Sequence, residues 1–330
     1  SDLANFFLPT RMIARNGALL GGLLVGISAT RAGLRAAPLR SVLAAGLLLF
    51  GTWIHITQFR AYTEEPLAFE NGETVLSGSL YLPSSAGPHP VVVIAHGSIQ
   101  APRAIYHLFA DALARRGIAV YSFDKRGTGH SGGEYQSDNN ASEENLRLLA
   151  SDVARAVDTL NTMTDRFTGG VGVLGISMGG WLTPLAATMT GDIAYMVLLS
   201  GPAVSVGEEG YFSNLAGDNF ETEQLVPVAV ADSLTRLEDP SGFDPRPTLG
   251  NLQVPGLWVL GLQDTSIPSR MTADVISAFA AAGKPYEFRM YPGADHLGFG
   301  TEWPYDLEPN VIEDMVDWIH RQASTAGATP

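Results

Sequence analysis

A serine with the surroundings of a nucleophile stands in the middle of the chain. Residues 175–179 read Gly-Ile-Ser-Met-Gly, a G-x-S-x-G pattern centred on Ser177. The pattern follows an apolar run, 171–176, and precedes a segment with helical periodicity, 178–189. This context predicts a strand, a sharp turn and a helix, which expose a serine hydroxyl at the carboxyl end of a sheet. A turn serine that caps the helix would give the same pattern, so chemistry requires further groups.

A carboxylate and an imidazole come later, each after a predicted strand. Asp264 lies between a strand and a helix, and His296 lies on the loop after the last strand. A carboxylate that accepts the N–H of a histidine fixes its tautomer, and the histidine then takes a proton from serine. Read alone, Asp264 also fits a helix N-cap and His296 a surface loop. Asp295 adjoins His296, but chain neighbours seldom face each other, so Asp264 is predicted as the orienting acid.

The loop after the first buried strand predicts an oxyanion hole. It reads His96-Gly97-Ser98, and the glycine allows the backbone to turn so that the N–H of Ser98 points at a developing oxyanion. The second donor would be the N–H of Met178, directly after the nucleophile. The side chain of His96 is interpreted as structural, because this role needs only backbone groups.

These motifs occur in the order Ser, Asp, His, and the chain resembles the α/β-hydrolase superfamily over about residues 65–322. Segment 123–133 is similar to the D-x-R-G-x-G-x-S loop of that family, and 177–184 resembles bacterial carboxylesterases and the serine aminopeptidase group. The resemblance implies a triad of Ser177, Asp264 and His296, with oxyanion donors at Ser98 and Met178. It also implies a structural glycine-rich loop, which lacks the lysine and spacing of a phosphate-binding loop.

The elements that must position these residues alternate along the body of the chain. Strands are predicted at 65–69, 74–82, 90–95, 118–123, 171–176, 193–199, 256–262 and 286–291. Helices are predicted at 102–116, 142–163 (with Ser142 as N-cap), 178–189, 269–282 and 309–321. The alternation predicts an α/β fold with a mostly parallel central sheet and helices on both faces. The resemblance implies that this is the α/β-hydrolase fold. Segment 201–250 breaks the alternation and is predicted to be a short cap inserted in a domain of residues 61–330.

Charge is distributed unevenly between the two parts of the chain. Residues 1–60 hold six arginines and one aspartate, a net charge of +5. Because the whole chain carries −14, residues 61–330 carry −19. An acidic body is a poor ligand for nucleic acid, so no nucleic-acid partner is expected. The chain has no cysteine, which excludes disulfides, thiolate metal sites and cysteine nucleophiles. The other histidines show no metal-ligand spacing, so neither metal nor cofactor is expected.

The first sixty residues contain two apolar runs, 17–29 and 41–54, separated by a basic loop. Extended through their flanks, both approach the length of a membrane span, and a basic loop on the cytoplasmic side would place the body outside. A membrane-associated helical segment with an extracytoplasmic catalytic body is therefore predicted. The alternatives are a signal peptide, or a helix pair packed on the body or a partner subunit. If the helix pair packs on protein, the alternative location is the cytoplasm, with the protein soluble, and packing on a partner subunit would make it a homo-oligomer.

Together these features predict a serine hydrolase that cleaves carboxylic esters of short to medium acyl chain. The expected partner is a small-molecule ester that forms an acyl-enzyme on Ser177. A serine aminopeptidase of the same fold is the nearest alternative, in which cap acids bind a substrate ammonium: Glu208, Glu209, Glu221 or Glu223. A thioesterase would use the same groups. A catalytically inactive, membrane-associated binding module is the alternative of another class.

Overall fold

The computed structural model describes residues 61–136, 140–218, 223–299 and 309–326, together with Gly46 and Leu49. Within these ranges the strands are β1 (Tyr62–Asn71), β2 (Thr74–Pro83), β3 (His89–Ala95), β4 (Ala119–Phe123), β5 (Phe167–Ile176), β6 (Ile193–Leu199), β7 (Gly256–Gly261) and β8 (Tyr286–Tyr291). The α-helices are α1 (His107–Ala114), α2 (Glu143–Asn161), α3 (Gly179–Met189), α4 (Val206–Ala216), α5 (Val228–Thr235), α6 (Arg246–Asn251), α7 (Ser269–Ala281) and α8 (Pro309–Ala326).

The strands form one sheet in the order β1-β2-β4-β3-β5-β6-β7-β8. β1 and β2 form an antiparallel hairpin, β2 joins β4 antiparallel, and all further pairs from β4 to β8 are parallel. The predicted mostly parallel sheet is confirmed. Because β3, β5, β7 and β8 run in one direction, the loops that follow them meet at one edge of the sheet.

The core lies on both faces of the sheet, because alternate residues of a strand point to opposite sides. On β3, Val91 and Val93 belong to the cluster that α2, α3 and α7 cover. Val92 and Ile94 belong to the cluster on the other face, which α1 and α8 cover. All four valine and isoleucine side chains are fully buried, as expected for strands between two helix layers.

A local signal fixes the start of one long helix, whereas a distant contact decides the start of another segment. Ser142 accepts a hydrogen bond from the N–H of Asn145 and caps α2 as predicted. The predicted helix 102–116 is wrong in its first turn, because Arg103–Tyr106 is a 3-10 turn and α1 begins only at His107. The backbone N–H of Arg103 donates to Asp124 across the fold, a long-range contact that the local sequence does not show.

The predicted cap segment, 201–250, contains α4, α5 and α6 between β6 and β7. Phe212, Ala216 and Ala231 form a small core of their own between α4 and α5. The predicted membrane segment 1–60 lies outside the described residues except for Gly46 and Leu49. Within the part of the chain that the structure describes, no helix is both long and apolar enough to cross a bilayer.

Candidate active site

Ser177 occupies a strained turn between β5 and α3. Its φ is 55°, a left-handed conformation that costs a residue with a side chain roughly 1–3 kcal/mol. Its N–H donates to the carbonyl of Leu199 at 3.0 Å, which ties the turn to the end of β6. A Cβ at Gly175 would lie 2.5 Å from the carbonyl oxygen of Gly179, and a Cβ at Gly179 would lie 2.5 Å from that of Ala95. Both glycines of the pattern are therefore required by close backbone approach.

Asp264 and His296 meet although 32 residues separate them. Nδ1 of His296 lies 3.0 Å from each carboxylate oxygen of Asp264, and the two residues are 7% and 0% exposed. The backbone N–H groups of Ser266 and Ile267 also donate to Asp264 Oδ1, at 2.8 and 2.9 Å. Because a carboxylate only accepts, Nδ1 carries the proton and Nε2 is left with its lone pair.

The electrostatics of this pair favour a protonated imidazole. Burial opposes the charged form, but the charge and hydrogen bond of Asp264 outweigh it and raise the pKa of His296 above its usual value. Asp295 does not bond to this imidazole. Its Oδ1 accepts from the N–H groups of Leu297 and Phe299, at 2.8 and 2.9 Å, and so folds the loop that carries His296.

Ser177 follows β5 and His296 follows β8 at the carboxyl edge of the same sheet, but their side chains are not hydrogen-bonded to each other. Both residues are described, and no such bond joins Ser177 Oγ to the imidazole. In free hydrolases these contacts are often long and tighten only when substrate binds.

The predicted oxyanion loop runs beside Ser177. A Cβ at Gly97 would lie 3.4 Å from the Cβ of Ser177, which shows that the two segments run side by side. The N–H of Gly97 donates to Tyr106 Oη at 2.7 Å, and the carbonyl of Ser98 accepts from Tyr135 Oη at 2.6 Å. Among the described residues, no acceptor is hydrogen-bonded to the N–H of Ser98 or of Met178.

His96 is a structural residue, as interpreted from the sequence. Its Nε2 donates to the carbonyl of Phe123 at 2.6 Å, and the side chain is 2% exposed. Burial, together with the nearby charge of Lys125, lowers the pKa of His96 to about 3. The imidazole is thus neutral and holds the end of β3 to the end of β4.

The predicted cap acids have different surroundings. Glu208 is buried at position N3 of α4, where it completes a capping box with Ser205, and it forms an ion pair with Arg246 at 2.8 Å, so its charge is already compensated. Glu209 lies near the Asp264–His296 pair: burial, and then the charge of Asp218, raise its pKa to about 8. Glu223 is exposed, and Glu221 lies outside the described residues.

Lys125 is a residue of this site that sequence reasoning missed. It is fully buried beneath the loop of Gly97 to Ile99, and its Nζ donates to the carbonyls of both these residues. Its presence in the D-x-R-G loop and the scarcity of lysine in the chain are the only sequence signals that mark it. Within the described residues, no group of acids and histidines is arranged to hold a metal ion.

The chain is similar to known hydrolases. The serine aminopeptidase S33 family model matches residues 86–225. A monoacylglycerol lipase of Mycolicibacterium smegmatis is 30% identical over 271 residues, which cover 70% of this chain and 88% of the lipase. Human dipeptidyl peptidase 8 is 23% identical over 67% of this chain, but the match spans only 24% of that protein.

Solved structures show the same fold at lower identity. An acylaminoacyl peptidase of Pyrococcus horikoshii superposes with a TM-score of 0.60 at 15% identity, over 82% of this chain and 44% of the peptidase. An esterase of Pyrococcus furiosus superposes with a TM-score of 0.58 at 16% identity, over 80% of this chain and 93% of the esterase. The sheet, the serine turn and the lipase relative lead to one conclusion: the chain belongs to the α/β-hydrolase superfamily and is a serine hydrolase of the lipase, esterase and peptidase type.

Proposed function

We propose that the chain hydrolyses carboxylic esters of short to medium acyl chain through an acyl-enzyme on Ser177. The observation that carries the proposal is the buried hydrogen bond of Asp264 with His296, at the same sheet edge as the strained turn of Ser177. Such a pair supplies a base of fixed tautomer and stabilises the imidazolium that forms when the base takes a proton. The strained turn presents the hydroxyl that this base would activate.

In the proposed reaction each of these groups has a defined role. His296 Nε2 takes the proton of Ser177 as Oγ attacks the acyl carbonyl, and the N–H groups of Ser98 and Met178 stabilise the oxyanion. His296 then gives the proton to the departing alkoxide. Water enters, and His296 takes a proton from it as the water oxygen attacks the acyl carbonyl. The imidazolium then returns that proton to Ser177 Oγ as the bond from Oγ to the acyl carbon breaks and the acid leaves. Asp264 remains ionised throughout and keeps the imidazole oriented.

The acyl preference depends on the apolar side chains of the cap segment between residues 211 and 237. Each methylene buried there contributes about 0.8 kcal/mol, roughly fourfold in kcat/KM. A cap of this length leaves room for a small pocket, so we expect rates to rise with acyl length and to fall beyond about eight carbons. A rate that keeps rising to about sixteen carbons would indicate an open, lipase-like cleft instead.

Amide cleavage next to a free amine is the second candidate, and the position of Glu209 favours it. Its carboxyl group lies near Asp264 and His296 and, unlike that of Glu208, forms no ion pair with a described arginine. A substrate ammonium would pair with the ionised form of Glu209 and lower its raised pKa. This enzyme would require a free α-amine and would cleave esters weakly at every chain length. A thioesterase would use the same machinery as the esterase.

The decisive experiment removes the nucleophile. Ser177→Ala is expected to retain the fold and lose ester hydrolysis, except for the residual rate given by binding and the oxyanion hole. Ser98→Ala is the matched control, because only its backbone N–H is assigned a role, and its rate should stay within about threefold of wild type.

A fluorophosphonate probe should label Ser177 alone. Rates on p-nitrophenyl esters of increasing chain length, compared with free and acetylated aminoacyl anilides, separate the esterase from the aminopeptidase. Labelling of another residue, or nearly normal turnover of Ser177→Ala, would refute the proposal. Absence of both labelling and turnover would favour the non-catalytic binding module.

Membrane contact through residues 1–60 is a separate proposal, based on two apolar runs around a basic loop. The chain with these residues should float with liposomes, and deletion of 1–60 should abolish flotation while hydrolysis persists. A chain that stays in the aqueous fraction would support the packed-helix alternative.

A further inference from the structure

A buried ammonium group lies beneath the loop that carries Ser98. Lys125 follows β4 and is 1% exposed, and among the described residues no carboxylate forms an ion pair with it. Burial lowers the pKa of its ammonium to about 7. Taking such a group out of water without a counter-ion is unfavourable unless its hydrogen bonds are satisfied. The hydrogen bonds of Nζ therefore decide whether this buried ammonium group is stable.

Those contacts are with one loop. Nζ donates to the carbonyl of Gly97 at 2.5 Å and to the carbonyl of Ile99 at 2.9 Å. The ring of Tyr135 covers it from another side, with its centroid 5.4 Å from Nζ. The ammonium thus bridges two carbonyls on either side of Ser98 and fixes the loop against the end of β4.

The hydrogen bond from Lys125 to the carbonyl of Gly97 affects the peptide group whose N–H belongs to Ser98, the proposed oxyanion donor. The carbonyl of Gly97 and the N–H of Ser98 belong to the same planar peptide group, in which oxygen and hydrogen point in opposite directions. Fixing the oxygen on Lys125 therefore fixes the direction of the N–H. A donor on the carbonyl also polarises the amide and makes its N–H a stronger donor, most of all when that donor is charged.

We propose that Lys125 is a positioning residue that aims and polarises the N–H of Ser98 toward the oxyanion of the transition state. The inference rests on the proposed function, because it takes Ser98 as an oxyanion donor. Lys125 touches neither substrate nor reacting atoms, and acts through one peptide group. Its loss should reduce binding of the transition state more than binding of the substrate.

A neighbouring contact gives a matched comparison. Tyr135 Oη donates to the carbonyl of Ser98 at 2.6 Å, and Asn140 donates to the same oxygen at 2.9 Å. That carbonyl belongs to the next peptide group, whose N–H is that of Ile99. Tyr135→Phe therefore removes a hydrogen bond from the same loop, but from the peptide group of Ser98 and Ile99 and not from that of Gly97 and Ser98. It keeps the aromatic ring over Lys125.

The test compares Lys125→Met with Tyr135→Phe and with Lys284→Met, which changes the only other lysine of the chain. Lys125→Met should lower kcat about ten- to thirtyfold, because losing a whole oxyanion donor costs about a hundredfold or more. KM should change less than about twofold, and affinity for a trifluoromethyl ketone, which forms a tetrahedral adduct on serine, should fall by the factor seen in kcat. Tyr135→Phe should lose less than about threefold in kcat, and Lys284→Met should match wild type.

Equal losses in Lys125→Met and Tyr135→Phe would overturn the proposal in favour of general loop stiffness. A folded Lys125→Met with normal kcat would overturn it outright. These results are distinct from failure of the proposed function, in which wild-type hydrolysis would not depend on Ser177 at all.

A measurement on wild type covers the case in which Lys125→Met does not fold. With lysine labelled with carbon-13 at Cε, the chain gives two lysine signals, one of which is the internal reference Lys284. The negative charge of the trifluoromethyl ketone adduct favours the ammonium form, so it should raise the pKa of Lys125 and leave Lys284 unchanged. An unchanged pKa of Lys125 on adduct formation would refute the proposal.

Discussion

Two buried histidines follow strands of the same sheet, and their environments differ in the hydrogen-bond partner and in the nearby charges, which are chiefly Lys125 at His96 and carboxylates at His296. His96 follows β3 and donates to a backbone carbonyl, that of Phe123. His296 follows β8 and donates to the carboxylate of Asp264. Both are less than a tenth exposed. Yet burial lowers the pKa of His96 to about 3, whereas Asp264 overcomes burial and raises the pKa of His296.

The difference teaches that the hydrogen-bond partner, more than burial, decides what a histidine can do. A carbonyl fixes the tautomer of a neutral imidazole but does little to stabilise a second proton. A carboxylate fixes the tautomer and also stabilises the imidazolium, which is what a general base requires. The loop of His96 therefore offers backbone N–H groups to a substrate, while the loop of His296 offers a side chain.

Exchanging each histidine for glutamine gives the largest expected contrast. His296→Gln should lower kcat by about ten-thousandfold, because the base is lost. His96→Gln keeps an N–H donor for the carbonyl of Phe123 and should lower kcat less than about tenfold. Steady-state kinetics on one ester, with circular dichroism of both variants, measures the contrast. A comparable loss in both variants would show that the two loops do not have separate roles.

The acids near His296 give the next contrast. Asp264→Asn should lower kcat about a thousandfold with little change in KM, because the amide no longer fixes the required tautomer. Asp295→Asn should cost less than about tenfold, since its oxygen can still accept from the loop N–H groups of Leu297 and Phe299. The reverse ranking, measured by the same kinetics, would make Asp295 the orienting acid.

The pH dependence of kcat/KM should reflect the raised pKa of His296. The base acts only when neutral, so activity should fall as pH decreases through that pKa. The midpoint is therefore expected above the ordinary histidine value of about 6.5. His96→Gln should leave the midpoint in place, which serves as the control. A midpoint below 6.5 would contradict the electrostatic effect assigned to Asp264.

The smallest effect concerns stability in acid. The folded state keeps His96 neutral down to about pH 3, whereas the unfolded chain binds a proton near its ordinary value of about 6.5. The free energy of unfolding that His96 contributes is thus complete above pH 6.5 and is lost as pH falls, by about 1.4 kcal/mol per unit. His96→Gln should show a shallower decline in urea unfolding between about pH 6 and pH 4. Equal slopes would show that other groups carry this loss.

Prediction from the sequence was most complete where the signal is local. Apolar runs and, for 74–82, alternation of polar and apolar residues predicted all eight strands, and the flanking residues of Ser177 predicted the turn between β5 and α3. Ser142 marked the start of α2. The sequence was less informative about 102–116, because a distant carboxylate, Asp124, holds the first turn of that segment as a 3-10 helix.

The sequence by itself determined the fold class, the strained serine and the order of the candidate catalytic residues, since strand periodicity and turn chemistry are encoded within a few residues. The sequence favoured Asp264 over Asp295 as the partner of His296, and the structure brings Asp264 and His296 together. Only the tertiary structure decided which cap glutamate is already paired and that Lys125 lies under the Ser98 loop. Each of these contacts joins residues more than twenty-five positions apart. The adjacent acids Glu208 and Glu209 also have different surroundings, because only Glu208 pairs with Arg246. Such outcomes depend on how strands are ordered in the sheet and how helices pack on it, which local patterns do not specify.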